Sequence, residues 1–285
     1  MLWQRVVTAI VLLAVLLPAL FYPEPWTFCA VMLVLIGAGG WEWGRLNAMS
    51  QSASWGLAAV SVVLSAGAWL AGLAVRPTPV LWSMVGLAWV LGGAWLIAKG
   101  VEGWPRVPRA VRIVGGVLAL SLAWLAAAQA RTAGINFLLS VLVLVWMADI
   151  AAYFAGRAFG TRWISRGLAP RISPKKSWEG VIGGMVGVIV LAFAWRWADA
   201  HWLQASASLY TVLSARGVWM LLIGVAFLAA MSVVGDLVES LIKRSVGVKD
   251  SSGLLPGHGG VLDRVDALLP TLPLALMLAQ GIGVR

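Results

Sequence analysis

The sequence contains few charged residues: they make up 11% of its 285 positions, with 11 acidic side chains against 21 lysines and arginines. Hydrophobic residues make up 61%. Soluble domains average about 25% charged and 45–50% apolar residues, so this chain has too little polar surface to cover a water-soluble core. A single cysteine, Cys29, excludes an intramolecular disulfide. The composition argues against a disordered chain, collagen, a disulfide scaffold and a nucleic-acid-binding domain, and it indicates a membrane protein.

Long apolar segments predict the fold. A helix needs about 20 mainly apolar residues to cross the hydrocarbon core of a bilayer. Nine such segments are present, at approximately 6–22, 26–43, 55–75, 79–98, 113–130, 134–156, 180–198, 217–237 and 267–284. We therefore expect an all-α polytopic membrane protein with about nine transmembrane helices. The first helix is expected to remain uncleaved, because no A-x-A-like cleavage site follows it. Two overlapping G-x-x-x-G patterns in the seventh segment predict close helix packing, and they are formed by Gly180, Gly183, Gly184 and Gly187.

The basic residues predict an orientation. With nine spans, 16 of the 21 lysines and arginines fall on one side of the membrane and 5 on the other. By the positive-inside rule the first side is cytoplasmic, so the N-terminus lies inside and the C-terminus outside. Residues 1–130 are nearly featureless spans and are interpreted as an N-terminal scaffold. Residues 131–285 are interpreted as the catalytic transmembrane region, because almost all the polar chemistry lies between 145 and 266.

The acidic residues are few enough to be considered singly. Asp149 lies about 10 Å inside the predicted end of its helix, at 1.5 Å per residue. It shares one helix face with Tyr153, Gly156 and Arg157. Because an aspartate at the bilayer centre costs about 2.5–3.5 kcal/mol, it should face either a basic partner in a structural ion pair or a watery cavity. Four other acidic residues lie at turns or predicted span ends and are expected to be solvated: Glu24, Glu42, Glu102 and Asp199.

A second acidic group begins in the eighth apolar segment. If this helix continues to about Val246, polar residues fall at i, i+3, i+4, i+7 and i+8 on one stripe. These residues are Asp236, Glu239, Ser240, Lys243 and Arg244. The stripe is either a solvated helix end with i, i+4 ion pairs or a site with two carboxylates followed by two cations. Solvation explains the two cations well. It is a poor explanation for Asp236, which lies at the end of an apolar run.

A glycine-rich loop follows at 247–260, and Asp263 and Asp266 come after it at the start of a predicted helix. Glycines let backbone N–H groups approach a ligand closely, and successive exposed amides form an anion-binding nest. Carboxylates at a helix start also suit the helix dipole, so capping remains an alternative for one of them. His258 by itself is read as a hydrogen-bonding loop residue more readily than as a metal ligand.

The loop before the seventh segment is rich in positive charge. Ser173 followed by Pro174 predicts a helix start with proline at the first helical position. Lys175 and Lys176 would then oppose the positive end of the helix dipole, and a bound polyphosphate would remove that conflict. Cytoplasmic retention charge is sufficient to explain the four arginines of this loop, Arg157, Arg162, Arg166 and Arg171.

Together these segments resemble a known family. A signature similar to that of phosphatidate cytidylyltransferases, or CDP-diacylglycerol synthases, is present in the run Ser240-x2-Lys243-Arg244-x4-Lys249-Asp250-x2-Gly253-x2-Pro256-Gly257-His258-Gly259-Gly260-x2-Asp263-Arg264-x-Asp266. The family pattern also fits Gly235-Asp236-Leu237-x-Glu239, Asp149-x3-Tyr153-x2-Gly156-Arg157-x2-Gly160 and Ser173-Pro174-Lys175-Lys176-x2-Glu179-Gly180. The resemblance covers about 145–270, and Ser177 stands where the family usually has threonine.

The resemblance implies a reaction and a set of site residues. CTP and phosphatidic acid would give CDP-diacylglycerol and pyrophosphate, with Mg²⁺ required and a second cation left open. The active site would lie between the cytoplasmic ends of the C-terminal helices and two polar loops. The implied catalytic residues are Asp236, Asp263, Lys243 and Arg264. The implied metal ligands are Asp236, Asp263, Asp149 and Glu239. The implied substrate-binding residues are Lys175, Lys176, Ser177, Arg244, Lys249, Asp250, His258, Gly259, Gly260 and Tyr153.

The resemblance also implies partners and a location. Besides CTP and phosphatidic acid, it implies contact with membrane lipids, a homodimer and no nucleic acid. It further implies an integral protein of a bacterial inner membrane whose active site faces the cytoplasm.

Two other functions stay open on the sequence. A CTP-dependent polyprenol or lipid kinase would transfer the γ-phosphate instead of the cytidylyl group. An anion transporter would use Asp149 and Asp236 as coupling-ion sites, and it predicts charges near the midplane and two related halves. Here the polar groups cluster in two loops instead. A CDP-alcohol phosphotransferase is disfavoured because its D-G-x-x-A-R pattern is absent.

Overall fold

Apolar helices make up most of the chain. The computed structural model describes residues 2–202 and 206–281, and helices and their connecting loops account for these ranges. In chain order the helices are α1 (Leu2–Phe21), α2 (Pro25–Leu46), α3 (Gln51–Leu70), α4 (Pro79–Lys99), α5 (Arg109–Ala133), α6 (Ile135–Phe159), α7 (Trp178–His201), α8 (Leu209–Ser214), α9 (Val218–Ser245), α10 (Leu262–Val265) and α11 (Leu268–Gly281). A 3₁₀ turn, Trp104–Arg106, lies between α4 and α5. The all-α prediction is confirmed.

Eight of these helices, α1 to α7 and α9, are long and apolar enough to cross a bilayer. They correspond to the first eight predicted segments, and the chain is an integral membrane protein. The ninth predicted segment is present as α11, which the structure describes over 14 residues. At 1.5 Å per residue this is about 21 Å, shorter than the roughly 30 Å hydrocarbon core. The predicted residues 282–284 lie outside the described ranges.

α11 is enclosed by other helices. It packs against α4, α5 and α9, and Leu274 and Ala275 are fully buried. Pro273 lies inside the helix. Because other helices surround α11, neighbouring side chains rather than lipid cover the backbone that this proline disturbs.

The short helix α8 was not predicted, because six residues are too few for a membrane-span search. The Ser208 side chain caps its N-terminus by accepting a hydrogen bond from Thr211 N–H. Leu209, Tyr210 and Leu213 are fully buried, and the Tyr210 hydroxyl donates to Ser140 O at 2.9 Å. α8 therefore fills space between α6, α7 and α9 rather than crossing the membrane.

α6 and α7 approach closely along the glycines of α7, as the G-x-x-x-G patterns predict. A Cβ added at Gly183 would lie 2.1 Å from the Cβ of Ala155, and one at Gly184 would lie 2.8 Å from the carbonyl oxygen of Ala148. Neither distance leaves room for a side chain. This packing places the start of α7 beside the end of α6.

The start of α7 differs from the prediction. Ser173 closes a turn through the Ala169–Ser173 bridge, Pro174 follows that turn, and the helix begins only at Trp178. Ser177 is the N-cap, and its hydroxyl accepts from Gly180 N–H at 3.1 Å. Lys175 and Lys176 therefore precede the cap instead of occupying the first turn, so the predicted conflict with the helix dipole does not arise there.

Candidate active site

Glu42 anchors the glycine-rich loop to α2. Its side chain is 0% exposed, so the prediction that it is solvated is wrong. Its carboxylate accepts hydrogen bonds from Val261 N–H at 2.9 Å, from Leu262 N–H at 2.8 Å, and from the hydroxyls of Ser251 and Ser252. The prediction failed because α2 continues three residues beyond the expected end at 43, which places Glu42 inside the bundle. Asp199 is also bonded rather than solvated, accepting from Asn136, Ser208 and Thr211 side chains.

Helix α1 contacts the same loop. Arg5 Nε donates to Gly257 O at 2.9 Å, and the Thr8 hydroxyl donates to Pro256 O at 2.9 Å. The first 130 residues therefore supply polar contacts at this end of the bundle in addition to apolar spans.

Lys243 lies between two carboxylates. It forms ion pairs with Glu239 on its own helix and with Asp263 on α10, and all three side chains are at most 10% exposed. Asp263 also accepts from Ser251 N–H at 2.9 Å, from the Ser251 hydroxyl at 3.0 Å and from Gly260 N–H at 2.7 Å. Burial alone would raise the pKa of Asp263, but the donors from Lys243 and Gly260 lower it to about 2. Asp263 is therefore an ionised anchor of the loop.

Lys176 and Asp236 join the two motif regions. They form an ion pair in which the side chains are 25% and 32% exposed, and Asp236 also accepts from the Ser240 hydroxyl at 3.2 Å. Helix α9 comes close to the α10–α11 junction here: a Cβ added at Gly235 would lie only 2.4 Å from Asp266 O. Burial and the neighbouring Asp236 charge raise the pKa of Asp266 to about 7. When both are ionised, the two carboxylates repel each other.

The residues at this point suit a hard divalent cation. Within residues 2–202 and 206–281 no three His, Cys, Asp or Glu side chains form a ready-made metal cluster. Asp236 and Asp266 nevertheless offer oxygen atoms, which Mg²⁺ prefers, and their mutual repulsion would be relieved by a cation. The oxygen atoms of Asp263 are already bonded, and Glu239 is paired with Lys243, although Glu239 Oε1 has no hydrogen-bond partner among the described residues. The predicted ligand roles of these residues stay predictions.

The glycine-rich loop is shaped by its glycines and by Arg264. Gly259 has a positive φ of 83°, and a Cβ at Gly260 would lie 2.0 Å from the Ser251 hydroxyl. Arg264 donates twice to His258 O, at 2.9 and 2.6 Å. The Nδ1 atom of His258 is buried without a partner among the described residues. These residues hold the loop together, and their predicted contacts with substrate stay predictions.

The other predicted site residues are divided between buried and exposed positions. Ser177 is buried as the cap of α7, next to the Lys176–Asp236 pair in sequence. On the segment before α7 and on the segment formed by the end of α9 and the glycine-rich loop, the exposed predicted residues are Lys175, Arg244, Lys249 and Asp250. Asp149 and Tyr153 are exposed on α6, where the Tyr153 hydroxyl accepts from Arg157 at 3.2 Å. The contacts of the described chain do not bring Asp149 into the Asp236–Asp266 group.

Two further residues were missed by sequence reasoning. Asp266 is not among the ligands that the resemblance implies, and capping is left open for it or for Asp263, yet it is the carboxylate that interacts with Asp236. Glu179 accepts from Trp163 N–H at 3.0 Å and from Ile164 N–H at 2.9 Å, so it holds the basic loop against α7. The signal for Glu179 was its place in the family pattern Ser173-Pro174-Lys175-Lys176-x2-Glu179-Gly180, to which no role was attached.

The fold and the site define a helical integral membrane protein with paired acidic and basic side chains at one end of its bundle, and known proteins identify the class more closely. The cytidylyltransferase family profile matches residues 3–281. The phosphatidate cytidylyltransferase of Pseudomonas aeruginosa is 39% identical, with 99% of each chain covered. That of Haemophilus influenzae is 37% identical over 96% of each chain, and that of Brucella suis is 35% identical over 80% of this chain and 75% of its own.

The chain therefore belongs to the cytidylyltransferase family. The resemblance inferred from the motifs is confirmed, and it extends over nearly the whole chain rather than over 145–270 alone.

Proposed function

We propose that this chain is a phosphatidate cytidylyltransferase. It transfers the cytidylyl group of CTP to phosphatidic acid and releases pyrophosphate, so that CDP-diacylglycerol is formed. The proposal is supported by relatives of that name that match along the full chain. The structural observation that carries it is the Lys176–Asp236 ion pair, which joins the two polar segments at one point beside Asp266.

The reaction requires electrostatic stabilisation of the approaching anions more than it requires a strong general base. A phosphomonoester has a second pKa near 6, so the phosphate of phosphatidic acid is largely dianionic at pH 7. One of its oxygens attacks the α-phosphorus of CTP, and the bond from that phosphorus to the pyrophosphate oxygen breaks. Two anions must approach each other, and positioned cations lower that barrier.

The basic side chains of the two segments supply these cations. Lys176 lies at the junction, and Lys175, Arg244 and Lys249 are exposed on the same two polar segments. Asp236 and Asp266 would hold a Mg²⁺ ion, which when bound screens the negative charge of the phosphates. Lys243 and Asp263 keep the glycine-rich loop in place so that its amides stay near the reactants.

Location and assembly follow from the same proposal. The bacterial relatives support a bacterial inner membrane, and the excess of basic residues on one side supports a cytoplasmic active site, where CTP is available. A homodimer is expected for this family. Light scattering of the detergent-solubilised protein tests it, and a mass of one chain would contradict it.

The transfer is tested with purified protein in detergent, phosphatidic acid, Mg²⁺ and CTP labelled either in cytidine or in the γ-phosphate. We expect the cytidine label in the lipid and the γ-label in pyrophosphate. Label from the γ-phosphate in lipid would instead establish the kinase. Neither the kinase nor the anion transporter is supported by the relatives, which carry the name of the cytidylyltransferase.

A further inference from the structure

An apolar groove of about 520 Å³ runs between α4, α5 and α9. Trp43 and Leu46 of α2 contribute to its wall, as do Leu262 and Leu269 beside the polar cluster. The volume lies within the range of roughly 300–1,000 Å³ typical of sites for small molecules. The reaction proposed above uses no part of this groove.

Glycines leave the groove open. Gly92 on α4 and Gly115 on α5 line it, and a Cβ added at either position would meet nothing within 4 Å. Elsewhere in the wall the fit is close, since a Cβ at Gly116 would lie 1.9 Å from the Trp43 ring. A side chain added at residue 92 or 115 would therefore enter open space at the groove.

The length of the groove matches one leaflet of a bilayer. Its wall extends from Val85 to Leu96 on α4 and from Val111 to Leu122 on α5. At 1.5 Å per residue each stretch is about 16 Å long. Half of a hydrocarbon core is about 15 Å. The groove therefore extends over the depth of the leaflet that adjoins the polar cluster.

The groove and the polar cluster are continuous. Gly235, Val238, Glu239 and Ile242 form the face of α9 that lines the groove. Glu239 is also ion-paired with Lys243, which belongs to the cluster. A molecule lying in the groove would thus have its polar end beside the cluster.

Unpartnered donors mark the polar end of the groove. The Nε atom of Arg112 and the Nε1 atom of Trp104 are buried and have no hydrogen-bond partner among the described residues. Both residues line the groove, and the Arg112 guanidinium lies 5.6 Å from the centre of the Trp104 ring. Buried donors without acceptors are unfavourable. The ester carbonyls of a diacyl lipid are acceptors placed between an apolar chain and a phosphate.

We propose that this groove holds one acyl chain of the diacyl phosphate substrate, with an ester carbonyl at Arg112 and Trp104 and the phosphate directed to the polar cluster. The inference rests on the proposed function and adds a subsite for the lipid chain. It follows that the groove discriminates between long and short acyl chains.

The test fills the groove from within the helices. Gly92→Leu and Gly115→Leu place a side chain in open space, and leucine favours a helix more than glycine does. Gly67→Leu on α3 is the matched control, because a Cβ there also meets nothing within 4 Å and the position lies outside the groove. The measured quantity is kcat/KM for dioleoyl and for dihexanoyl phosphatidic acid in mixed micelles at saturating CTP.

In the two groove variants we expect the kcat/KM for the long-chain lipid, divided by that for the short-chain lipid, to fall about tenfold. This corresponds to about 1.4 kcal/mol, which lies in the range of the cost of forcing methylene groups into occupied space. An unchanged ratio, or an equal fall in Gly67→Leu, would overturn the proposal. An equal loss for both lipids would also overturn it, because the groove would then serve packing only. If the unaltered chain transfers no cytidylyl group to either lipid, the proposed function fails instead.

Discussion

The strongest test of the site's architecture is to remove the Glu42 carboxylate. Glu42→Ala deletes the acceptor of four hydrogen bonds that connect α2 to the loop and to the start of α10. The Ser251 hydroxyl can still donate to Asp263 at 3.0 Å. The N–H groups of Val261 and Leu262 lose their acceptor, and each unsatisfied buried donor costs about 1–3 kcal/mol.

The expected loss of stability is therefore about 2–4 kcal/mol, after water entering the vacated space offsets part of the cost. This corresponds to a decrease of roughly 5–15 °C in Tm, at about 2–4 °C per kcal/mol for a large domain. Thermal unfolding in detergent measures it. Amide exchange of Val261 and Leu262 should accelerate, and turnover should fall because the loop that is bonded to Asp263 is released. Glu102→Ala removes an exposed carboxylate and serves as the control. Equal Tm and turnover in the two variants would refute this account of the loop.

Three further substitutions test the site and the fold. Asp236→Asn should reduce turnover about 10²–10³-fold, as does the removal of electrostatic groups from other active sites, with little change in Tm. If turnover stays as near normal as in a Glu102→Gln control, Asp236 does not belong to the site. Ser177→Ala should destabilise the chain by about 0.5–2 kcal/mol through loss of the N-cap, whereas Ser177→Thr should retain the cap. An equal Tm in both variants would contradict the capping role of Ser177. Gly183→Leu should lower stability by about 1–3 kcal/mol because α6 leaves no space, and Gly56→Leu, which points into open space, should not.

Much of the fold could be predicted because membrane helices require long apolar runs. Eight segments matched spanning helices, and the glycine pattern of α7 correctly indicated close packing with α6. The short helix α8 could not be found this way, since its residues are buried by tertiary packing and not by lipid. The start of α7 was placed too early because Ser173–Pro174 and Ser177 are both plausible helix starts, and only the surrounding turn decides between them.

The site could be predicted as far as its chemistry resides in local sequence. The motifs named Asp236, Lys176, Lys243 and Asp263, and the structure brings these four together in two ion pairs. Glu42 lies 209 residues from Ser251 in the chain, so no local pattern could connect them. The closeness of Asp266 to Asp236 depends on the absence of a side chain at position 235, which is visible only once two helices are packed.

The site contains one ion pair that is fixed by burial, Lys243–Asp263, and one that can exchange partners, Lys176–Asp236. Lys243 and Asp263 are at most 10% exposed, and Asp263 is held by three further hydrogen bonds, so separating them would leave buried charges unpaired. Lys176 and Asp236 are partly exposed, and a pair open to water contributes only about 0–1 kcal/mol. In the proposed reaction a polyphosphate would therefore take Lys176, and a cation would take Asp236, at little cost to the fold. Binding at the second pair would leave the first pair, and with it the loop, in place.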